Sequence, residues 1–274
     1  MTPQTSRAVS QAPSPLLRQT IGSIAVLTLD SPSTRNALSE AMIMALQSAL
    51  DSIRDDKSVR AVVIAANGPA YSSGHNLKEL TARRSDADKG RAYFAHMMKS
   101  CSDMMQTIVR LPKPVVAAVQ GVATAAGCQM VATCDLAVAS DQATFGTPGI
   151  DIGLFCSTPM VALTRNVPRK HAMHMLLTGD HIPAQRALEL GLVNSVVPAG
   201  SEREAAIALA DRIAVKSAYT LKVGKEAFYR QAEMSLADAY TYAAQVMTEN
   251  MMARDAQEGI GAFIEKRDPK WEDR

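Results

Sequence analysis

Through the first two thirds of the chain, short apolar runs with the two-residue period of a strand alternate with longer stretches whose apolar residues return every three or four positions. GSIAVLTLD, residues 22–30, alternates and is rich in β-formers, which predicts a strand closed by the turn SPST. Ser39 stands where an N-cap belongs, ahead of Ile43, Leu46, Leu50 and Ile53, which fall on one face of a helix. VRAVVIAA, residues 59–66, is almost continuously apolar, as a strand covered on both sides must be, and it empties into NGPAYSSGHN, a loop of turn formers. A helix is predicted from about Ala87 to Arg110, with Phe94, Met97, Cys101, Met104 and Ile108 on its buried stripe. Lys113-Pro114 stops it, and VVAAV at 115–119 is the next strand.

The same reading gives a helix opening inside GVATAAGCQMVATCD (121–135), strands at 135–140 and about 144–146, and the loop TPGIDIGLFCSTP. From Met160 the chain reads as mostly helical, with one further strand at 192–197. Strands alternating with helices predict an α/β fold. The organisation expected is a tail over 1–20, a core over 21–199 and an all-helical segment over 200–274, with Gly200 at the boundary.

The start of the helix in GVATAAGCQ is the first place where pattern suggests chemistry. The first N–H groups of a helix have no partner inside it, and aligned peptide dipoles leave about half a positive charge there. The small residues Ala123, Ala125, Ala126 and Gly127 would let a ligand reach those amides, or equally let the helix pack tightly on a strand. Gln129 puts a neutral amide in the first turn, where an acid would suit the dipole better.

Composition narrows the functional classes. With 47% hydrophobic and 20% charged residues the chain is an ordinary globular one, long enough to bury a large core. The net charge of +2 and 4% aromatic content give no reason to expect nucleic acid or a membrane surface as partner. Cys101, Cys128, Cys134 and Cys156 lie in apolar stretches without a CxxC pair, and read as core residues of a reducing compartment rather than as disulfides or a metal site. No run approaches a membrane span and no signal-peptide core follows Met1. Residues 1–20 hold Arg7, Arg18, three prolines and no acid, mildly like a transit peptide, but the prolines spoil an amphipathic helix. His171 and His174, three apart on a predicted helix, lack the further ligands a metal would need, so no metal is expected.

Three separated stretches and the tail, AYSSGHNLKEL (70–80), KPVVAAVQGVATAAGCQMVATCDLAVAS (113–140), TGDHIPAQRALELGLVNSVV (178–197) and DAQEGIGAFIEKRDPKW (255–271), resemble the crotonase, or enoyl-CoA hydratase/isomerase, superfamily. The resemblance implies a ββα superhelical core, a C-terminal helical trimerisation domain and an acyl-CoA thioester as ligand, with coenzyme A part of the substrate and no separate cofactor. It also implies that the thioester oxygen lies between two backbone N–H groups, here those of His75 and Ala126. The CoA moiety would lie near Thr34, Arg35, Ser72, Ser73 and Lys78, with Lys266 reaching a phosphate, in this subunit or a neighbouring one of a homotrimer or dimer of trimers. The cytoplasm, or the mitochondrial matrix in a eukaryote, is the compartment implied.

Where hydratases of that family use two glutamates, the resemblance puts Gln129 and Gly149. A glutamine does not exchange a proton near neutral pH and a glycine has no side chain to do so, although acid–base groups commonly contribute about 10²- to 10⁴-fold each. Asp151 is the nearest carboxylate in sequence, and its alternation with Ile150 and Ile152 favours a structural hydrogen bond over catalysis. The wording SSGHNL is similar to members that decarboxylate malonyl-type CoA esters, and ATAAGCQ and GLFCSTP to a branch of enoyl-CoA hydratase domain-containing proteins. Ordinary hydration is therefore expected to be weak, with decarboxylation or acyl-CoA binding without turnover as the alternatives.

Overall fold

The computed structural model describes residues 14–274. The expected tail over 1–20 falls mostly outside them, but its last part is ordered: β1 (Leu16–Ile21) pairs antiparallel with β2 (Ile24–Leu29) across a two-residue turn. From there the chain winds in repeating units, each placing a strand in a large sheet, a short strand in a small sheet, and then a helical segment. After α1 (Glu40–Arg54), the units are β3 (Ala61–Ala66), β4 (Ala70–Ser72), α2 (Leu77–Ala82) and α3 (Arg91–Arg110); then β5 (Val115–Val119), β6 (Val122–Thr124) and α4 (Ala126–Thr133); then β7 (Leu136–Ser140), β8 (Thr144–Gly146), α5 (Ser157–Leu163) and α6 (Arg169–Thr178). β9 (Ile182–Pro183), α7 (Ala184–Glu189) and β10 (Ser195–Val197) close the spiral. The large sheet has the order β1-β2-β3-β5-β7-β10, parallel from β2 onward, and the small one the order β4-β6-β8-β9. This is the α/β ββα superhelix that the sequence led us to expect.

The near-continuous apolar runs are explained by the large sheet's two covered faces. Alternate residues Leu27, Val62, Ile64, Val115, Ala117 and Ala139 join the main core, under α1 and α3. The intervening Ile24, Val26, Val63, Val116 and Val138 meet Ala206, Ala210 and Ala214 of α8 (Glu202–Ala214). Alanine every fourth position gives α8 a smooth stripe that lies flat on the strands. The helical segment expected from 200 onward thus begins with a helix that belongs to the sheet, because the second sheet face needs a cover.

Local signals set most boundaries. Ser39 caps α1 through its hydroxyl, which accepts from the Met42 N–H at 3.1 Å, and Met42, Ile43, Leu46, Leu50 and Ile53 are buried. The helix expected from Ala87 starts at Arg91 instead, since Asp88 accepts from the N–H groups of Gly90 and Ala92 and Gly90 takes a left-handed conformation. The loop expected at 67–76 contains β4, whose strand character comes from pairing with β6 rather than from its own composition. No helix among the described residues is long and apolar enough to cross a membrane.

The last three helices, α9 (Ala218–Gln231), α10 (Leu236–Met252) and α11 (Arg254–Glu265), pack mainly on one another. One buried polar network ties them back to the core. Lys225 of α9 donates to Asp135 at 2.6 Å and to the carbonyls of Ile108 and Lys113, while the Tyr229 hydroxyl donates to Asp135 at 2.8 Å and the Val115 N–H donates to it at 2.7 Å. Burial pulls the Lys225 ammonium below its ordinary range, and burial with the Asp135 charge pushes the Tyr229 phenol up. Removing one member strands a buried charge, so Lys225→Ala is expected to lower stability by about 3 kcal/mol in urea unfolding, and Tyr229→Phe by about 1 kcal/mol.

Candidate active site

The parallel strands β4, β6 and β8 end side by side, and the chain leaves each of them as a tight turn. Open α/β sheets place ligands at such strand ends. Asn36 organises the entrance from within: fully buried at φ 52°, it accepts the Ser31 N–H and donates to the carbonyls of Asn67 and Ala70. It holds the 3-10 turn Pro32–Thr34 against the β4 end, where Ser73 N–H donates to Arg35 O and the Ser73 hydroxyl to Thr34 O.

The chain then makes its closest approach. Gly74 has φ +79°, and a Cβ built on it would stand 2.9 Å from Ala125 Cβ and 3.1 Å from Ala126 N. A Cβ on Gly127 would stand 2.3 Å from Ser72 O. Glycine is required at both positions because backbone lies directly on backbone. Ala125, at φ 51° and ψ −118°, is in a region that an L-residue seldom occupies, held there by its N–H donating to Gly146 O at 2.9 Å. That turn delivers Ala126 as the first residue of α4.

Two backbone N–H groups at this contact are left without acceptors. Among the described residues, neither the His75 N–H nor the Ala126 N–H donates to any acceptor, while their neighbours do: Ala125 to Gly146 O, and Gly74 to the Ser72 hydroxyl at 3.3 Å. Gln129, 5% exposed, lies one turn into α4, and its Oε1 has no partner. Thr124 Oγ1, Thr147 Oγ1 and His75 Nε2 are likewise buried without partners. His75 is half-buried, and burial of its imidazole lowers the pKa below the ordinary value of 6.5, so it is neutral at neutral pH.

Gly149, where the resemblance puts the second glutamate, is closed to a side chain. A Cβ on Gly149 would stand 2.4 Å from Leu154 O and 2.8 Å from Cys156 Sγ, so the 3-10 turn Pro148–Ile152 and the loop after it occupy the space an acid would need. Asp151 is exposed, and its carboxylate makes no hydrogen bond among the described residues and packs against Gly179 at the end of α6. The structural hydrogen bond expected of it is therefore not formed.

The residues expected at CoA divide. Thr34, Arg35 and Ser73 are brought together as described, with Arg35 and Lys78 exposed and free of ion pairs among the described residues. Ser72 is fully buried, its hydroxyl donating to Asn36 O, so it serves the turn from inside. Lys266 caps α11 in a left-handed conformation and, among the described residues, shares no hydrogen bond with the other five. Asn36, Thr124 and Thr147 were not visible as site residues from sequence; only Asn36 carried a signal, since asparagine tolerates positive φ. His171 and His174 are exposed on α6. A cleft of about 690 Å³ between α1, α2 and α3, lined by Glu40, Met44, Glu79, Arg83 and Tyr93, includes none of the strand-end residues.

Gly74→Ala is expected to destabilise the chain by about 1–3 kcal/mol through strain and overlap, and Gly149→Glu by a similar amount, read as lowered urea midpoints. Because the native imidazole of His75 resists the proton that the unfolded chain accepts, stability should fall as pH drops below about 6.5. His75→Gln should flatten that dependence between pH 7.5 and pH 5.

Set beside known proteins, residues 19–274 match the family described as Enoyl-CoA hydratase/isomerase. The chain is 46% identical over 259 residues to human enoyl-CoA hydratase domain-containing protein 3, mitochondrial, covering 94% of this chain and 84% of that one. The crystal structure of that human protein superimposes with a TM-score of 0.89, covering 94% of this chain and 100% of the other. An enoyl-CoA hydratase from Mycobacterium smegmatis, 47% identical, gives a TM-score of 0.88 over 94% of this chain and 98% of its own.

Proposed function

This chain belongs to the enoyl-CoA hydratase/isomerase family, and we propose that it binds an acyl-CoA thioester and stabilises its enolate between the His75 and Ala126 N–H groups, with little ordinary hydratase activity. The observation that carries this reading is the pair of unpaired N–H groups beside the Gly74 contact. A thioester oxygen gains full charge only as the enolate forms, so fixed donors and the α4 dipole favour the enolate over the substrate. Losing one such donor typically costs about 3–4 kcal/mol.

Hydration needs more than an oxyanion site. Water must lose a proton as it attacks and the α-carbon must gain one, and neither Gln129 nor Gly149 can take part. The crowding at Gly149 extends the point: restoring an acid there would require the 150–156 loop to move. A malonyl-type ester would reach the same enolate differently, its C–C bond breaking to release CO₂ and leaving the electron pair on the thioester. That route needs no base, and it is the second reading, favoured by the absence of a carboxylate among the buried strand-end polar groups, His75, Thr124, Gln129 and Thr147.

Arg35 and Lys78 stand at the rim as exposed cations suited to phosphate, and Thr34 and Ser73 provide the turn between them. Lys266 joins them only from another copy in this reading. Phe263 (85% exposed), Leu236 (78%) and Ile264 (73%) expose more apolar surface on α10 and α11 than a solvated helix bundle tolerates, and further copies of the chain, as a trimer or dimer of trimers, would cover it. The buried cysteines accord with a reducing compartment, cytoplasm or mitochondrial matrix.

Calorimetry with butyryl-CoA should detect binding, and acetoacetyl-CoA should show a larger enolate fraction when bound than when free at the same pH. Absence of both effects would remove the reading. Crotonyl-CoA hydration is expected at least about 10²-fold below that of a relative with both glutamates. Sedimentation at micromolar concentration should give a trimer or hexamer rather than a monomer.

A further inference from the structure

Clearance and orientation make opposite demands at Gly74. Its missing side chain lets the end of β4 lie on Ala125 and Ala126, and its φ of +79° is one that glycine adopts freely. The same freedom works against the site. The peptide joining Gly74 to His75 is planar and trans, so the Gly74 carbonyl and the His75 N–H form one rigid plate with the two groups on opposite edges. That plate turns about Gly74 ψ and His75 φ, and glycine leaves the first of these soft. Where the His75 N–H points is therefore settled by what holds the plate, not by Gly74 itself.

Two clamps hold it, and both trace back to the segment between β2 and α1. The Leu38 N–H donates to Gly74 O at 2.7 Å, which pins the carbonyl edge and turns the His75 N–H to the other side, where no acceptor among the described residues receives it. The Ser72 hydroxyl accepts the Gly74 N–H at 3.3 Å and donates to Asn36 O at 2.9 Å. Asn36 is the fixed end of this relay. It is fully buried at φ 52°, and its side chain accepts from the Ser31 N–H and donates to the carbonyls of Asn67 and Ala70, each at 2.8 Å. Leu38, two residues on and fully buried, is carried by the same anchor. A hydrogen bond received at its carbonyl also polarises the plate, which strengthens the His75 N–H as a donor. The Ala126 N–H needs no such device, since α4 holds its peptide from behind.

We propose that Asn36 and Ser72 are positioning residues of the candidate active site: through Leu38 and Gly74 they aim the His75 N–H at the enolate oxygen and so set how strongly the site favours enolate over thioester. The proposal rests on the preceding reading, in which that N–H is one of two oxyanion donors. Neither side chain touches the ligand in this role. Ser72 thereby moves from the CoA contact implied by resemblance to the inner support of a donor. A misaimed donor still lets an acyl-CoA bind, because the uncharged thioester oxygen draws little from it, whereas the enolate oxygen draws most. The signature is a loss of enolate without a matching loss of affinity.

The test reads two quantities on the full chain: the enolate-to-keto ratio of bound acetoacetyl-CoA, from its ultraviolet absorbance at fixed pH, and the calorimetric affinity for butyryl-CoA. Ser72→Ala and Asn36→Gly, the latter keeping a residue that tolerates positive φ, should each lower the ratio about tenfold, a fraction of the roughly 10²- to 10³-fold that a whole donor is worth, while butyryl-CoA affinity changes by less than about threefold. Ser72→Cys, which retains a weaker donor and acceptor, should fall between Ser72→Ala and the wild type. Tyr229→Phe, in the Asp135 network, should leave the ratio unchanged. A wild-type ratio in the folded Ser72 variants would overturn the proposal, as would an equal drop in Tyr229→Phe, which would make the effect one of stability alone. A loss of butyryl-CoA affinity as large as the loss of enolate would overturn it too, and return Ser72 to a CoA contact. If Ser72→Ala and Asn36→Gly do not fold, Ser72→Cys decides. No enolate enrichment in the wild type would remove the oxyanion reading itself, and the proposal with it.

Discussion

Backbone lying on backbone is the constraint from which the site follows. Between the end of β4 and the start of α4 there is no thickness for a side chain: Gly127 meets Ser72 O, and Gly74 meets Ala125 and Ala126. The two N–H groups without an acceptor among the described residues, those of His75 and Ala126, adjoin this contact. The distorted Ala125 turn completes the arrangement, and the strain of its φ 51° is sustained because the Gly146 carbonyl on the adjoining strand end fixes its N–H. A donor pair made in this way is rigid before any ligand arrives, which is what an oxyanion site requires.

Rigidity at that contact depends on layers further out. The large sheet is sealed on one face by α1 and α3 and on the other by the alanine stripe of α8, and the small sheet is carried on it through short connections. Asp135 stands at the junction, joining the start of β5 to α9 through Lys225 and Tyr229. Its buried charge is balanced at the cost of desolvating a lysine, so the pair contributes more to fixing how the last helices dock than to net stability.

A site whose donors are backbone atoms leaves its side chains free to change. The buried side chains beside these amides, Thr124, Gln129 and Thr147, are neutral. Gln129 keeps the length of a glutamate without its charge, Gly149 has been enclosed by Leu154 and Cys156, and Asp151 has turned to the surface beside Gly179. The Cys128 thiol, fully buried and pushed up to about 12, is inert in the same sense.

Much of this was legible in the linear chain. Periodicity located the strands at 24–29, 61–66 and 115–119 and the buried face of α1, because burial of alternate or every-third-or-fourth residues writes itself directly into residue type. Motif order named the family and pointed to His75, Ala126, Gln129 and Gly149, since a ligand held by backbone still demands small residues at fixed places. Three kinds of fact were decided only in three dimensions. β4 is a strand because β6 lies beside it, and α8 belongs to the core because a sheet face was open. A side chain does not fit at Gly149 because residues five and seven positions later fold back onto it. Thr124 and Thr147 stand at neighbouring strand ends because β6 and β8 run parallel and pair Thr124 with Gly146. Each of these depends on which distant residues become neighbours, and that is information a single chain's pattern does not carry.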